Sequence, residues 1–211
     1  MTEPEISLVI PAYNEEKIIG ETIKSALTFL ENKFSSYELI ISDDGSTDGT
    51  RKIVESYGDK HIRLAGHFPN KGKGAAIRDG VLAASGKIIA YTDADLAYGL
   101  EAIGELTECL KNTGADAVIG SRKLHPQGYE DYPAIRLLAS RCFGFITGTI
   151  AGFRYDTQCG IKVFKEEAAK KIFALCDTDG FAFDFEVMMI AEKLRLKIEQ
   201  FPVMIINHRE S

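Results

Sequence analysis

The 211-residue chain has no CxxC pair, no run of 18 apolar residues, no low-complexity tract and no basic surplus. Each absence excludes something. Its four cysteines, Cys109, Cys142, Cys159 and Cys176, are too widely spaced for a structural zinc site. With no secretory signal either, the expectation is reduced thiols in a cytosolic setting. No stretch reads as a membrane-spanning helix; the nearest, 142–153, is too short and is bordered by Arg141 and Arg154. A net charge of −6 argues against a general nucleic-acid binder and against a simple electrostatic membrane clamp. Any anionic ligand must therefore be held by local groups.

What is present is ordinary in bulk and specific in pattern. An apolar fraction of 45% with 27% charged residues suits one soluble globular domain. Strand-like and helix-like segments alternate. Residues 6–13, 37–44, 61–66, 87–93 and 115–122 read as strands, and 14–33, 45–58, 74–85 and 100–112 as the turns and helices between them. Asn14 is a candidate cap for the first helix, with Glu15 and Glu16 on its positive end; Ser46 and Thr47 are candidate caps for the second. The rhythm breaks over 123–160, where an amphipathic helix is expected near 134–152. A short strand (160–164), two helices (165–176 and 181–196) and a last strand (198–206) follow. Pro202 makes that last strand an expected edge. The alternation predicts an α/β layer fold with a mostly parallel sheet.

In open α/β sheets ligands bind at the carboxyl ends of the strands. That rule draws four clusters to one rim: "PAYNEE", "DDGSTDGT", "DADL" and "GSR". Asp93 and Asp95 raise the sharpest question, because like charges repel. Residues i and i+2 of an extended strand point the same way, so both carboxylates can reach one hard cation, Mg²⁺ or Mn²⁺, whose shell substrate phosphates complete. A solvated turn with a helix cap is the bland alternative. Asp43 or Asp44 suits a base N–H or a ribose hydroxyl, against an Asx-type turn. "NKGKGAAI" (70–77) sets Lys71 and Lys73 at a helix N-terminus, an anion site that is not a Walker loop. Arg122, Arg136, Arg141 and Arg154 offer phosphate forks, the last two reading better as surface charge. Asp156, Asp184 and Glu186 sit among apolar and aromatic residues and are acid–base or orienting candidates. The histidines, His61, His67, His125 and His208, have no metal spacing and are expected at the surface or in loops.

Together with "VIPAYNEE", "DTQCGIKVF", "FAFDFE" and "PVMIINHRES", these motifs resemble the family 2 glycosyltransferases of GT-A fold, in the family's order and over nearly the whole chain. The "DTQCGIKVF" stretch most resembles the polyprenyl-phosphate sugar synthases, of dolichyl-phosphate glucose or mannose synthase type. The resemblance implies one GT-A catalytic domain over 1–211, with a nucleotide-binding half (1–96) and an acceptor-binding half (97–211). It implies an inverting transfer of a hexose from UDP-glucose or GDP-mannose to a polyprenyl phosphate, at the cytoplasmic face of a membrane. By the same resemblance Pro11, Ala12, Tyr13, Glu15, Asp43, Asp44, Lys73, Asp93, Ala94 and Asp95 hold the nucleotide sugar. Asp93 and Asp95 hold the Mg²⁺ or Mn²⁺, and Arg122, Arg136 and Arg209 the acceptor phosphate. Asp95, Asp156, Asp184 and Arg122 form the catalytic set, with the general base left open because the attacking phosphate is already ionised.

Three features depart from that pattern. Ala97 and Tyr98 follow the DADL where relatives often carry a polar side chain. The C-terminal "NHRES" stops where relatives continue through glycine, serine and lysine. Many relatives also have membrane helices at one end. Three rival readings compete with it: a glycan or diacylglycerol acceptor, an aspartate-nucleophile phosphatase, and a non-catalytic sugar-nucleotide module. The phosphatase leaves "DDGSTDGT" unexplained, and the module would lose the acceptor arginines or the site carboxylates.

Overall fold

Strands whose side chains are apolar on both faces have to be covered on both faces. The computed structural model describes residues 3–128, 152 and 155–207 and shows that arrangement. Seven strands form one sheet: β1 (Ile6–Ala12), β2 (Tyr37–Asp44), β3 (Ile62–His67), β4 (Ile88–Tyr91), β5 (Ala117–Ser121), β6 (Lys162–Lys165) and β7 (Ile198–Pro202). Their order is β3-β2-β1-β4-β6-β5-β7. All neighbours run parallel except β6, which is antiparallel to both β4 and β5.

Side chains alternate across the sheet with period two. Ile6, Leu8, Ile10, Leu39, Ile41, Ile88 and Ala90 enter one core, beneath α1 (Ile19–Lys33), α2 (Thr50–Ser56) and α4 (Glu101–Thr113). Val9, Ile40, Ile89 and Tyr91 enter the other, beneath α3 (Lys73–Ala83), α5 (Glu166–Phe173) and α6 (Phe183–Lys193). Each fully buried Ile, Leu or Val contributes about 1.5–3 kcal/mol of transfer free energy.

The ends of several elements differ from the sequence expectation. Helix α1 begins at Ile19 and not near Asn14. Asn14 stands at φ 54°, and its Oδ1 accepts from the backbone of Thr47 and Asp48 at 2.8 and 3.4 Å. Ser46 Oγ in turn accepts from Asn14 N, and Glu16 Oε2 accepts from Gly49 N. The presumed caps of both helices are consumed in joining the β1–α1 and β2–α2 loops to each other. Helix α6 is Phe183–Lys193 rather than 181–196, and Leu194 is exposed. Strand β7 lies at the sheet edge as expected, but stops at Pro202. The helix expected near 134–152 lies outside the described residues. So do Arg136, Arg141, Arg154, Arg209, Cys142 and His208. Cys109, Cys159 and Cys176 are free thiols. Among the described residues no helix is long and apolar enough to cross a membrane.

Candidate active site

The carboxyl ends of β1, β2 and β4 open on a cavity of about 450 Å³. Pro11, Ala12, Tyr13 and Glu15 line it from β1, Asp44 from β2, and Asp93, Ala94 and Asp95 from the turn after β4. Asn70, Gly72, Lys73 and Ala76 close one side, and Phe181 stands at the rim. Nine of the ten residues assigned to the nucleotide sugar therefore line one cavity. The tenth, Asp43, is buried behind it, where Oδ1 accepts from Ser46 N and Oδ2 lies 3.7 Å from Arg51. Two concavities of similar volume, about 490 and 510 Å³, run along the solvent face of α1 without gathering such a set.

Asp93 and Asp95 do not ride on an extended strand. Strand β4 ends at Tyr91, and 93–96 is a tight turn closed by Leu96 N on Asp93 O at 3.0 Å, with Leu96 at φ 51°. Thr22 Oγ1 on α1 holds the Ala94 carbonyl at 2.7 Å. Asp95 Oδ1 accepts from Ala97 N at 3.1 Å. The turn brings both carboxylates to the cavity by a route that strand periodicity did not foresee. Lys73 Nζ lies 2.5 Å from Asp93 Oδ1. Burial depresses the Lys73 ammonium, but the charges of Asp93, Asp184 and Asp95 outweigh it and the net shift is upward. Lys73 thus stays cationic amid three carboxylates. Among the described residues no three His, Cys, Asp or Glu side chains converge as a ready metal cage. Two carboxylates on one cavity wall fit a hard cation whose other ligands come from substrate and water.

The helix N-terminus expected to bind an anion is partly taken. Ala75 N donates to Asp179 O at 3.2 Å, and a side chain at Gly74 would strike Thr178 O. Of that motif, the Lys73 side chain reaches the cavity. The start of the 177–182 segment is tied down on two sides. Arg78 binds Asp179 and the Cys176 carbonyl, and Glu186 accepts from Asp177 N and Thr178 N. Glu186, an acid–base candidate by sequence, is thus a loop tie.

Two buried ion pairs hold Asp184 and Asp156, and none of their members lines the cavity. Asp184 Oδ1 accepts from Tyr91 OH at 2.9 Å and from Lys162 Nζ. Lys162 is fully buried, and its remaining hydrogens go to the carbonyls of Thr157 and Cys159 at 3.1 and 2.7 Å. Burial, then the Asp184 charge, drives the Tyr91 hydroxyl pKa far up, so it stays a donor. Arg122 meets Asp156 as a fork, NH2 to Oδ1 at 2.8 Å and Nε to Oδ2 at 3.0 Å, with its own backbone N–H on Oδ2 at 2.9 Å. Burial raises the Asp156 carboxyl, but the hydrogen bonds and charge of Arg122 prevail and hold it below the usual range. The guanidinium face expected to meet acceptor phosphate is turned to Asp156.

Sequence reasoning missed Lys162 and Tyr91, which sit inside strand-like runs. It also left His67 at the surface or in a loop, whereas the residue ends β3, and its side chain is only 12% exposed and lies between Asp44 and Asp79.

An α/β sheet with one antiparallel strand inserted beside the carboxylate turn is the GT-A architecture of nucleotide-sugar transferases. Glucosyl-3-phosphoglycerate synthase from Mycobacterium tuberculosis, solved with Mn²⁺, UDP and glucosyl-3-phosphoglycerate, superposes with a TM-score of 0.67. It is 23% identical, with 99% of this chain and 73% of that chain covered. Mannosyl-3-phosphoglycerate synthase from Rubrobacter xylanophilus superposes at 0.69, with 21% identity over 99% of this chain and 67% of that one. The "Glycosyl transferase family 2" profile matches residues 7–179, and the chain belongs to that family. A dolichyl-phosphate beta-glucosyltransferase of Trichomonas vaginalis is 34% identical over 96% of this chain, and one of Saccharomyces cerevisiae 35% over 94%. The chain spans 64% and 66% of those two proteins' own lengths.

Proposed function

We propose that this chain carries the donor site of an inverting glucosyltransferase acting on a polyprenyl phosphate, with UDP-glucose as donor. The observation that carries this reading is the single cavity joining Tyr13, Glu15 and Asp44 to Lys73, Asp93 and Asp95. A nucleoside fits against the first three and a diphosphate against the last three. The names of these relatives favour glucose and dolichyl phosphate over GDP-mannose.

Asp93 and Asp95 would hold Mg²⁺ or Mn²⁺, which when bound neutralises the charge growing on the leaving diphosphate. Lys73 donates to the same diphosphate from the protein side. The acceptor is a phosphate monoester, already ionised. Its oxygen attacks the anomeric carbon as the bond to the nucleoside diphosphate breaks, inverting that centre. Such a nucleophile needs placement more than deprotonation. Asp184, held by Lys162 and Tyr91, is assigned to orienting the sugar, and Asp156 with Arg122 to fixing the return of the chain beside it. Arg136 and Arg209 remain proposed for the acceptor phosphate. A lipid acceptor puts the reaction at a membrane surface, proposed to be a cytoplasmic face.

The test is incubation with Mn²⁺, a short-chain polyprenyl phosphate and either UDP-glucose or GDP-mannose. Glucosyl-lipid should form from UDP-glucose and fall by about 100-fold or more in Asp95→Asn, with the fold intact. Product from GDP-mannose would overturn the donor. Nucleoside diphosphate release without lipid product would overturn the acceptor.

A further inference from the structure

We propose that His67 is a positioning residue for the nucleotide cavity, an imidazole clamp that ties Asp44 at the end of β2 to Asp79 on α3. It rests on the reading of that cavity as a nucleotide site. The argument begins with the ring. His67 Nε2 lies 2.8 Å from Asp44 Oδ1, and Nδ1 lies 2.6 Å from Asp79 Oδ2. One planar ring thus meets two carboxylates on different elements, and a residue with a polar group at one end only cannot make both contacts.

The local backbone is built to bring the ring there. Asp44 and His67 are register partners on adjacent parallel strands. The close approach depends on Gly66, at φ 111°, where a Cβ would sit 2.0 Å from Asp43 O. Asp79 is on α3, the helix that Lys73 begins. His67 therefore fastens the side of that helix to the strand end from which its own turn departs.

Asp44 is the hub of that turn. It also accepts from Asn70 Nδ2 at 2.8 Å, Lys71 N at 2.9 Å and Gly72 N at 3.0 Å. Asn70, Gly72 and Lys73 line the cavity together with Asp44. A carboxylate has about four acceptor sites, so Asp44 is nearly saturated from within the protein. Its first task is to hold the 70–73 turn, and with it Lys73, at the height the diphosphate needs. Without the ring, Asp44 loses its tie to β3 and α3 and keeps only its bonds to the turn itself. Asp79 does not line the cavity and acts only through the ring.

The experiment compares His67→Ala, His67→Gln, Asp79→Ala and the His67→Ala/Asp79→Ala pair with the unaltered chain. Two readouts are taken. The first is amide hydrogen exchange at Lys71 and Gly72, which needs no ligand. It should accelerate at least about tenfold in both alanine variants. The second is binding of UDP with Mn²⁺ by calorimetry, with steady-state kinetics where product forms. Affinity should fall about 10- to 100-fold in His67→Ala, and less in Asp79→Ala. The pair should be no worse than His67→Ala alone, because both act through one clamp. KM for the donor should rise while kcat stays within about twofold. His67→Gln should fall between.

Unchanged exchange at Lys71 and Gly72 would overturn the clamp. Accelerated exchange with unchanged UDP affinity would overturn its role in nucleotide binding. Additive losses in the pair would overturn the single path through the ring. If the unaltered chain binds neither UDP nor GDP while exchange still responds, the clamp stands as structure, and the nucleotide reading fails with the role it lends His67.

Discussion

Gly160→Ala tests the proposed metal wall without substituting either carboxylate. Gly160 is buried at a backbone geometry open to alanine, so strain comes from contact alone. An added Cβ would stand 2.3 Å from Asp93 Oδ2 and 3.2 Å from its Cγ. Ordinary contact begins near 3.4 Å, so the carboxylate must retreat by about 1 Å. Asp93 can yield, because its side chain is 28% exposed. The stability cost should therefore lie at the low end of the roughly 1–3 kcal/mol typical of overpacking. A metal site tolerates only about 0.2 Å in its ligand distances. Displacing one of two protein ligands by five times that should weaken the Mn²⁺-dependent part of UDP binding about 10- to 100-fold. The assay is calorimetric titration of UDP with and without Mn²⁺, beside a thermal melt. Binding without metal should change little. A variant that melts normally and keeps the full Mn²⁺ increment would refute the placement of Asp93 in a metal site.

The remaining predictions probe the buried pairs and the rim. Lys162→Met strands the buried Asp184 charge and should cost about 3–5 kcal/mol in urea unfolding, part of it restored by adding Asp184→Asn. Phe181→Ala removes a ring that is 77% exposed yet lines the cavity; donor KM should rise several-fold, with stability within about 0.5 kcal/mol. Acid should destabilise the chain below about pH 4. Burial raises Asp156 and Glu38, but Arg122 lowers the first, and Ser7, Arg63 and Ser85 lower the second, with net depression in both. The unfolded chain then takes up more protons as pH falls, so the stability present above the unfolded pKa values is lost as pH drops through the folded ones. Asp156→Asn should flatten that dependence in a pH series followed by circular dichroism.

The strands and the cavity were legible because both rest on local pattern. Short apolar runs such as "LVI" and "LII" mark buried strands, and glycine, aspartate and lysine at strand ends mark a rim. What was not legible depends on contacts distant in sequence. Asn14 looks like a helix cap until Thr47 and Asp48 claim its oxygen. Lys162 looks like an exposed strand residue, since nothing in "GIKVF" announces Asp184. His67 carries no metal spacing, and its carboxylate partners lie 23 residues before it and 12 after. Only the inward aspartates "DTQ" and "FDF", set among apolar neighbours, hinted that cations must lie close by.

Strand β6 has a consequence for how the chain assembles. It lies between β4 and β5, yet it is drawn from residues 162–165, more than seventy positions after β4 begins. Until it arrives, β4 is an open edge of a four-stranded parallel sheet, and β5 has no path to join that sheet. During synthesis the N-terminal half, through β4, can collapse first, but it carries an unpaired apolar strand until the C-terminal half supplies the plug. A cut near residue 96 would therefore not release two independent modules. It would give two fragments that each lack a neighbour and recover order only on meeting.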